Sequence, residues 1–243
     1  MAVIVLALCL TSTTSVLAED SIEKHWLKRT VLVEERTAIW CPSCAEIDPE
    51  LLLVAKSHGA RTAIVGLHVN DEFENNASLA RIQYQMQKDE SNYGTPTFFV
   101  DGMKTAEGYG AWSDVQKRIL SQESTRKAPE DIAMSLVDEE FIVPTPDYGQ
   151  LTIMVLEHGK LVPVEADNPG EDIRDRVLVG MKVVNSSGNI SKYGDLELPE
   201  EWSVILVHEP EEGGEPYGVV AVSYTHLRAH ETVLDLVCRL LLE

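Results

Sequence analysis

The segment Trp40-Cys41-Pro42-Ser43-Cys44 sets two thiols three residues apart. On a helix that spacing places the second thiol about one turn beyond the first. A thiol at a helix N-terminus is drawn towards its thiolate by unpaired amide N–H groups and by the helix dipole. Disulfide exchange needs one exposed thiol so placed and a second a turn deeper, and this motif meets both demands. Two other uses compete for the same residues: half of a zinc site, or a purely structural disulfide. Zinc takes four ligands, and the sequence offers no second C-x-x-C or C-x-x-H to complete a site.

A pair of this kind has to stand where a strand gives way to a helix, and the flanking pattern supplies both. Thr30 to Thr37 reads as a strand, and Cys41 to Ser57 as a helix with an apolar stripe of Cys44, Ile47, Leu51, Val54 and Ala55. Ala63 to Val69 reads as a strand buried on both faces. A helix from about Leu79 to Asp89 follows, then a strand at Thr97 to Val100, a turn at Asp101-Gly102, a strand near Lys104 to Glu107 and a helix from Ser113 to Ser121. The order is β-α-β-α-β-β-α. Glu35 shares its strand face with Val31 and Val33, whereas Leu32, Glu34 and Arg36 lie on the other, so Glu35 is expected to be buried.

The remainder reads differently. Ser121 to Pro129 is polar and ends in proline, which marks it as a linker. Beyond it, Ile132 to Val137, Leu151 to Leu156, Val177 to Val184, Ser203 to His208 and Gly218 to Val220 alternate or are β-branched, separated by Pro, Gly, Asp and Asn. That spacing predicts an antiparallel, sandwich-like all-β domain, cut short at its end. Residues 19–127 carry 17 acidic and 13 basic side chains, and residues 128–220 carry 20 and 5, so the second part is the acidic one.

The first part resembles the thioredoxin superfamily over about residues 25–122, and the match goes beyond the two cysteines. Pro49, in the helix after Cys44, stands where thioredoxins kink the active-site helix, and Glu35 matches the buried acid beneath the disulfide. Thr95-Pro96, followed by TFFVDG, matches the cis-proline loop that faces the active site and binds extended substrate backbone. The resemblance implies an α/β domain with a central mixed sheet flanked by helices. It implies that Cys41 attacks and Cys44 resolves, with Glu35 as proton acceptor and Trp40, Thr95 and Pro96 on the substrate side. The expected activity is thiol-disulfide oxidoreduction, with protein thiols or disulfides and a redox partner protein as partners and no metal, flavin or nucleotide cofactor. VLVEERTAIWCPSC followed by a β-rich half also resembles thioredoxin-like outer-membrane lipoproteins, although Leu8 stands before Cys9 where a lipobox needs a small residue. The rival class is a cell-envelope binding or structural protein that uses the fold as a scaffold, which needs none of Glu35, Cys41, Cys44 or Pro96.

Both ends of the chain call for separate treatment. Residues 1–18 read as a secretory signal peptide, with an apolar run of ten followed by Val16-Leu17-Ala18 at the cleavage site. The expected location is therefore extracytoplasmic: periplasm, cell envelope or secreted. In the tail, residues 221–243, the stretches Val222 to Thr232 and Leu236 to Glu243 can be encoded by DNA that resembles a sequencing-library adapter, so the native segment is expected to end near Val220. With both ends set aside, Cys41 and Cys44 are the remaining cysteines, and a lone C-x-x-C in an exported chain points to redox work. The formal charge of -20 over 243 residues opposes binding to nucleic acid, and no direct membrane span is expected in the native segment. Glu165, Asp167, Glu171, Asp172 and Asp175 do not fit an EF-hand and read as a solvated loop. His25, His58, His68, His158 and His208 show no metal or triad spacing.

Overall fold

The computed structural model describes residues 30–87, 94–108, 110–125, 132, 134–137 and 140–223. The expected signal peptide and residues 224–243 of the tail lie outside the described residues. Strand β1 (Val31–Thr37) leads into helix α1 (Pro42–His58), then β2 (Thr62–His68), α2 (Asn76–Met86), β3 (Thr97–Val100), β4 (Met103–Glu107) and α3 (Trp112–Thr125). The order is the one the sequence predicts, and the element ends differ from the expected ones by a few residues. The later strands are β5 (Ser135–Val137), β6 (Glu140–Ile142), β7 (Gln150–Glu157), β8 (Lys160–Leu161), β9 (Ile173–Arg174), β10 (Val177–Asn185), β11 (Ile190–Gly194), β12 (Trp202–Glu209) and β13 (Gly218–Ser223).

The long strands of the two halves share one sheet, and β5 with β6 and β8 with β9 form two small antiparallel pairs beside it. A nine-stranded mixed sheet runs β13-β12-β7-β10-β2-β1-β3-β4, with β11 also paired to β10. Pairing of β1 with β2 is parallel and of β1 with β3 antiparallel. The seam between the halves is short: Val177 of β10 registers with Gly66 of β2, and the Gly66 amide donates to the Arg176 carbonyl at 2.8 Å. The expected sandwich is therefore corrected to a continuation of the first sheet. Alternation reports that a strand has two differently covered faces, but it carries nothing about which sheet edge the strand joins.

Covering layers explain why the strands are so fully buried. On one face α1 and α3 cover β1, β2 and β3 through Ile47, Leu51, Val54, Val115 and Ile119. On the other, α2 lies across the seam, so that Ala77 and Ile82 join Leu32, Val65 and Leu67 of the first half to Met154, Leu178 and Ile205 of the second. The alternate residues of β7 and β12, Ile153, Val155, Val204 and Leu206, face Phe141 of β6 and the partly buried Leu196 and Leu198.

Two further expectations change. Ser121 to Thr125 belong to α3 rather than to a linker, because Gln122 is buried and Glu123 meets Nδ1 of His58 on α1 at 2.6 Å. The strand expected at Gly218 to Val220 runs on to Ser223, which pairs with Ser203 of β12. At the centre of the second half, Gly180 marks a register shift between β10 and β7, and a Cβ there would fall 1.9 Å from the Asp195 carbonyl oxygen. Gly180→Ala is therefore expected to lower the free energy of unfolding by about 1–3 kcal/mol, read from urea titration. A loss within error of zero would show that Asp195 moves aside freely.

Candidate functional site

Helix α1 begins at the cysteine motif for local reasons. Cys41 is its N-cap, with extended backbone (φ -86°, ψ 109°), and its Sγ accepts from the Cys44 amide at 3.1 Å. Pro42 follows in the first turn, where its missing N–H is one the helix would leave unpaired anyway. The preceding turn closes through Cys41 N–H to the Ala38 carbonyl at 3.1 Å. Within the helix, Pro49 cannot donate to the carbonyl of Ala45 a turn earlier, which weakens the helix next to the motif.

Cys41 and Cys44 are joined as a disulfide with their Cα atoms 5.3 Å apart. Both are buried with Ala38, Cys41 at 3% exposure and Cys44 at 1%. The sequence leads one to expect an exposed Cys41; the tight turn from Ala38 instead encloses it, and only a small margin of access separates the two thiols. Trp40, beside them, is 42% exposed, and its indole N–H donates to the Asn70 carbonyl at 2.9 Å.

The expected companions lie at the same end of the sheet. Arg36 of β1 registers with Thr97, the first residue of β3, so buried Pro96 immediately before it lies level with the end of β1 that runs into the cysteine turn. The Thr95–Pro96 bond is cis, Thr95 is half-buried, and the Pro96 carbonyl accepts from Gly108 at 2.8 Å. Glu35 is 3% exposed, as its strand face predicts, and its Oε1 has no hydrogen-bond partner among the described residues. Burial raises its carboxyl well above the ordinary range, and the charge of Asp48 raises it further; Arg174 and the Thr37 hydroxyl pull the other way without prevailing.

Three groups here escape a reading of the sequence alone. Asp48 stands four residues after Cys44 on α1, a spacing that puts them on one helix face, and this is the signal that could have found it. Burial raises its carboxyl too, opposed by Arg174 and His68. His68, at the end of β2, registers with Thr37, and its Nδ1 lies 2.7 Å from Oδ2 of Asp71. The same Oδ2 accepts the Ile39 amide at 2.7 Å, two residues before Cys41. Although burial works against its charge, the bonds from His68, Ile39 and Phe73 hold the Asp71 carboxyl below the ordinary range. Arg174 arrives from β9, far along the chain, with Nε 3.5 Å from Oδ2 of Asp48; no local pattern could announce it.

Among the described residues no group of three or more His, Cys, Asp or Glu is placed to hold a metal ion, and no helix is long and apolar enough to cross a membrane. The chain matches no protein-family model and no curated protein. Among solved structures it is similar to HBP35 of Porphyromonas gingivalis, with a TM-score of 0.54 and 18% identity over 85% of this chain and 78% of that one. It is also similar to a protein of Agrobacterium tumefaciens, with a TM-score of 0.55 and 13% identity over 82% of this chain and 97% of that one. At these identities the likeness is one of fold alone. Its coverage exceeds either half of the chain, so it extends to the joined α/β and β-rich parts together.

Proposed function

We propose that the chain is an extracytoplasmic thiol-disulfide oxidoreductase with a thioredoxin-like first half, acting on protein thiols or disulfides through Cys41 and Cys44. The observation that carries this reading is the Cys41–Cys44 bond across the first turn of α1 with Cys41 as the N-cap. Reduced Cys41, favoured as a thiolate by the helix N-terminus, attacks one sulfur of a substrate disulfide and expels the other as a thiolate. A mixed disulfide joins Cys41 to the substrate. Cys44 then loses its proton to the Glu35 carboxylate and attacks Cys41 Sγ, which releases the second substrate sulfur as a thiolate and closes the intramolecular bond. Two electrons pass from the cysteine pair to the substrate, and the reverse sequence oxidises a substrate dithiol. Which direction prevails depends on the reduction potential of the pair relative to its partner protein.

Trp40 and the Thr95–Pro96 turn flank this chemistry as the surface on which substrate backbone is laid. Insulin reduction by the dithiothreitol-recycled protein, together with oxidation of a reduced substrate, tests the activity, and failure of both would favour the scaffold reading. Cys41 is expected to be the first residue alkylated when the reduced protein is treated with iodoacetamide at mildly acidic pH. In Cys44→Ala a mixed disulfide should persist through Cys41. Equal labelling of both thiols, or trapping through Cys44 in Cys41→Ala instead, would reverse the assignment.

A further inference from the structure

The β8–β9 hairpin belongs to the acidic half of the chain, yet it is docked on the cysteine helix. Val162, just after β8, is buried with Ile39, Phe73 and Val177. Gly170 lies so close to α1 that a Cβ on it would come within 3.0 Å of the Ala45 Cβ. This docking brings Arg174 to Asp48 with only 7% of the residue exposed. Its other guanidinium N–H groups are held by its own loop: Nη2 donates to Asn168 Oδ1 at 2.8 Å, and Nη1 donates to the Glu171 and Ile173 carbonyls. A planar guanidinium fixed in this way is oriented before it meets the carboxylate.

The cation pairs with Asp48, and its charge also acts on Glu35. The charge of Asp48, half-buried on α1, acts on the enclosed Glu35 of β1, and two carboxyls that act on each other in this way titrate as a unit that resists carrying two negative charges. The other groups acting on the pair are His68 of β2, whose partner is Asp71, and the Thr37 hydroxyl of β1. Cys44 lies one helical turn before Asp48. We infer that Arg174 is a positioning residue for the disulfide chemistry: by pairing with Asp48 it assigns the negative charge to Asp48 and leaves Glu35 as the carboxyl that exchanges a proton with Cys44. The inference rests on the disulfide-exchange reading above, and it makes the β-rich half part of the redox site rather than an appendage.

The test is a 13C NMR titration of the Glu35 and Asp48 carboxyl carbons in the oxidised full-length protein. In Arg174→Met the Asp48 midpoint should rise by about 1–3 pH units, the usual effect of removing a close opposite charge. Arg174→Lys should return most of that shift. In the same variants the pH at which mixed-disulfide resolution reaches half its maximum should move upward with the Met and back with the Lys. A folded Arg174→Met protein with an unchanged Asp48 midpoint overturns the inference, as does loss of the resolution rate without any movement of its pH profile. Should Arg174→Met fail to fold, Asp48→Asn reads the same coupling from the other side: it should lower the Glu35 midpoint, and an unchanged midpoint overturns the inference. The carboxyl midpoints are measured without turnover, so a wild-type protein inactive on insulin and on reduced substrates would strike the functional reading separately.

Discussion

Replacing Glu35 by Gln is expected to slow resolution of the mixed disulfide by about 10²- to 10⁴-fold, the usual contribution of a positioned general base. The initial attack by Cys41 should keep nearly its wild-type rate, so that mixed disulfide accumulates in a single-turnover experiment quenched with acid. The reason is geometric and electrostatic together. Glu35 is buried on β1, the strand that runs into the cysteine turn, with one oxygen unpartnered among the described residues, and its raised carboxyl is a stronger proton acceptor than a solvated glutamate. Gln preserves the shape and cannot take the proton. The same substitution carries a signature in stability. Because folding raises the Glu35 carboxyl, the folded chain holds more protons than the unfolded one from the ordinary carboxylate range, near 4.5, up to the raised value. Stability from this group is complete below that window and falls as pH climbs through it. Relative to wild type, Glu35→Gln should therefore gain stability as pH rises across the window and hold a constant difference above it. Resolution at the wild-type rate would reduce Glu35 to a structural role, and a stability difference independent of pH would contradict its burial as an ionisable group.

Arg81→Ala is expected to lower the unfolding free energy by about 3–5 kcal/mol, the range for breaking a buried ion pair from one side. Arg81 on α2 is fully enclosed, with Nε 2.5 Å from Oε1 of Glu34 on β1 and Nη1 2.6 Å from Oε1 of Glu209 at the end of β12. Tyr84 stacks on the guanidinium, 4.6 Å from ring centroid to Cζ, and sends its hydroxyl to the Pro210 carbonyl at 2.7 Å. Glu209 Oε1 also accepts from Thr152 at 2.6 Å. Without Arg81 two carboxylates from opposite halves of the sheet stay buried with no cation between them, and both must protonate or pull apart. At about 2–4 °C per kcal/mol for a chain of this size, Tm should fall by roughly 6–20 °C in calorimetry. Neutralising the survivors should restore much of the loss, so Arg81→Met combined with Glu34→Gln and Glu209→Gln is expected to be more stable than Arg81→Met alone. A single variant that loses under about 1 kcal/mol would show that water reaches the cluster and screens it.

The sequence by itself determined what local spacing can encode. Period-two and helical patterns located β1, α1, β2, α2, β3, β4 and α3 in order, and the strand face shared by Val31, Val33 and Glu35 foretold a buried acid. The C-x-x-C spacing placed Cys41 at the start of a helix, and the capping geometry with Pro42 behind it follows from residue types within one turn. What only the tertiary structure decided depends on partners remote in the chain. The strands of the acidic half read as strands, but their joining to β2 at Gly66 rests on one short seam and on α2 lying across it, neither of which leaves a mark in local alternation. Arg81 on α2 is enclosed by Glu34 and Glu209, which lie 47 and 128 residues from it in the chain. His68 showed no triad spacing because its partner Asp71 is only three residues away and its effect on Asp48 is through space. Arg174 sat in a stretch that read as a solvated acidic loop; docking of Val162 and Gly170 turned it towards Asp48. Hydrophobic periodicity reports how each element is covered, whereas ion pairs across elements are fixed by the register and packing of whole layers, and charges that end up adjacent need share no pattern in the chain.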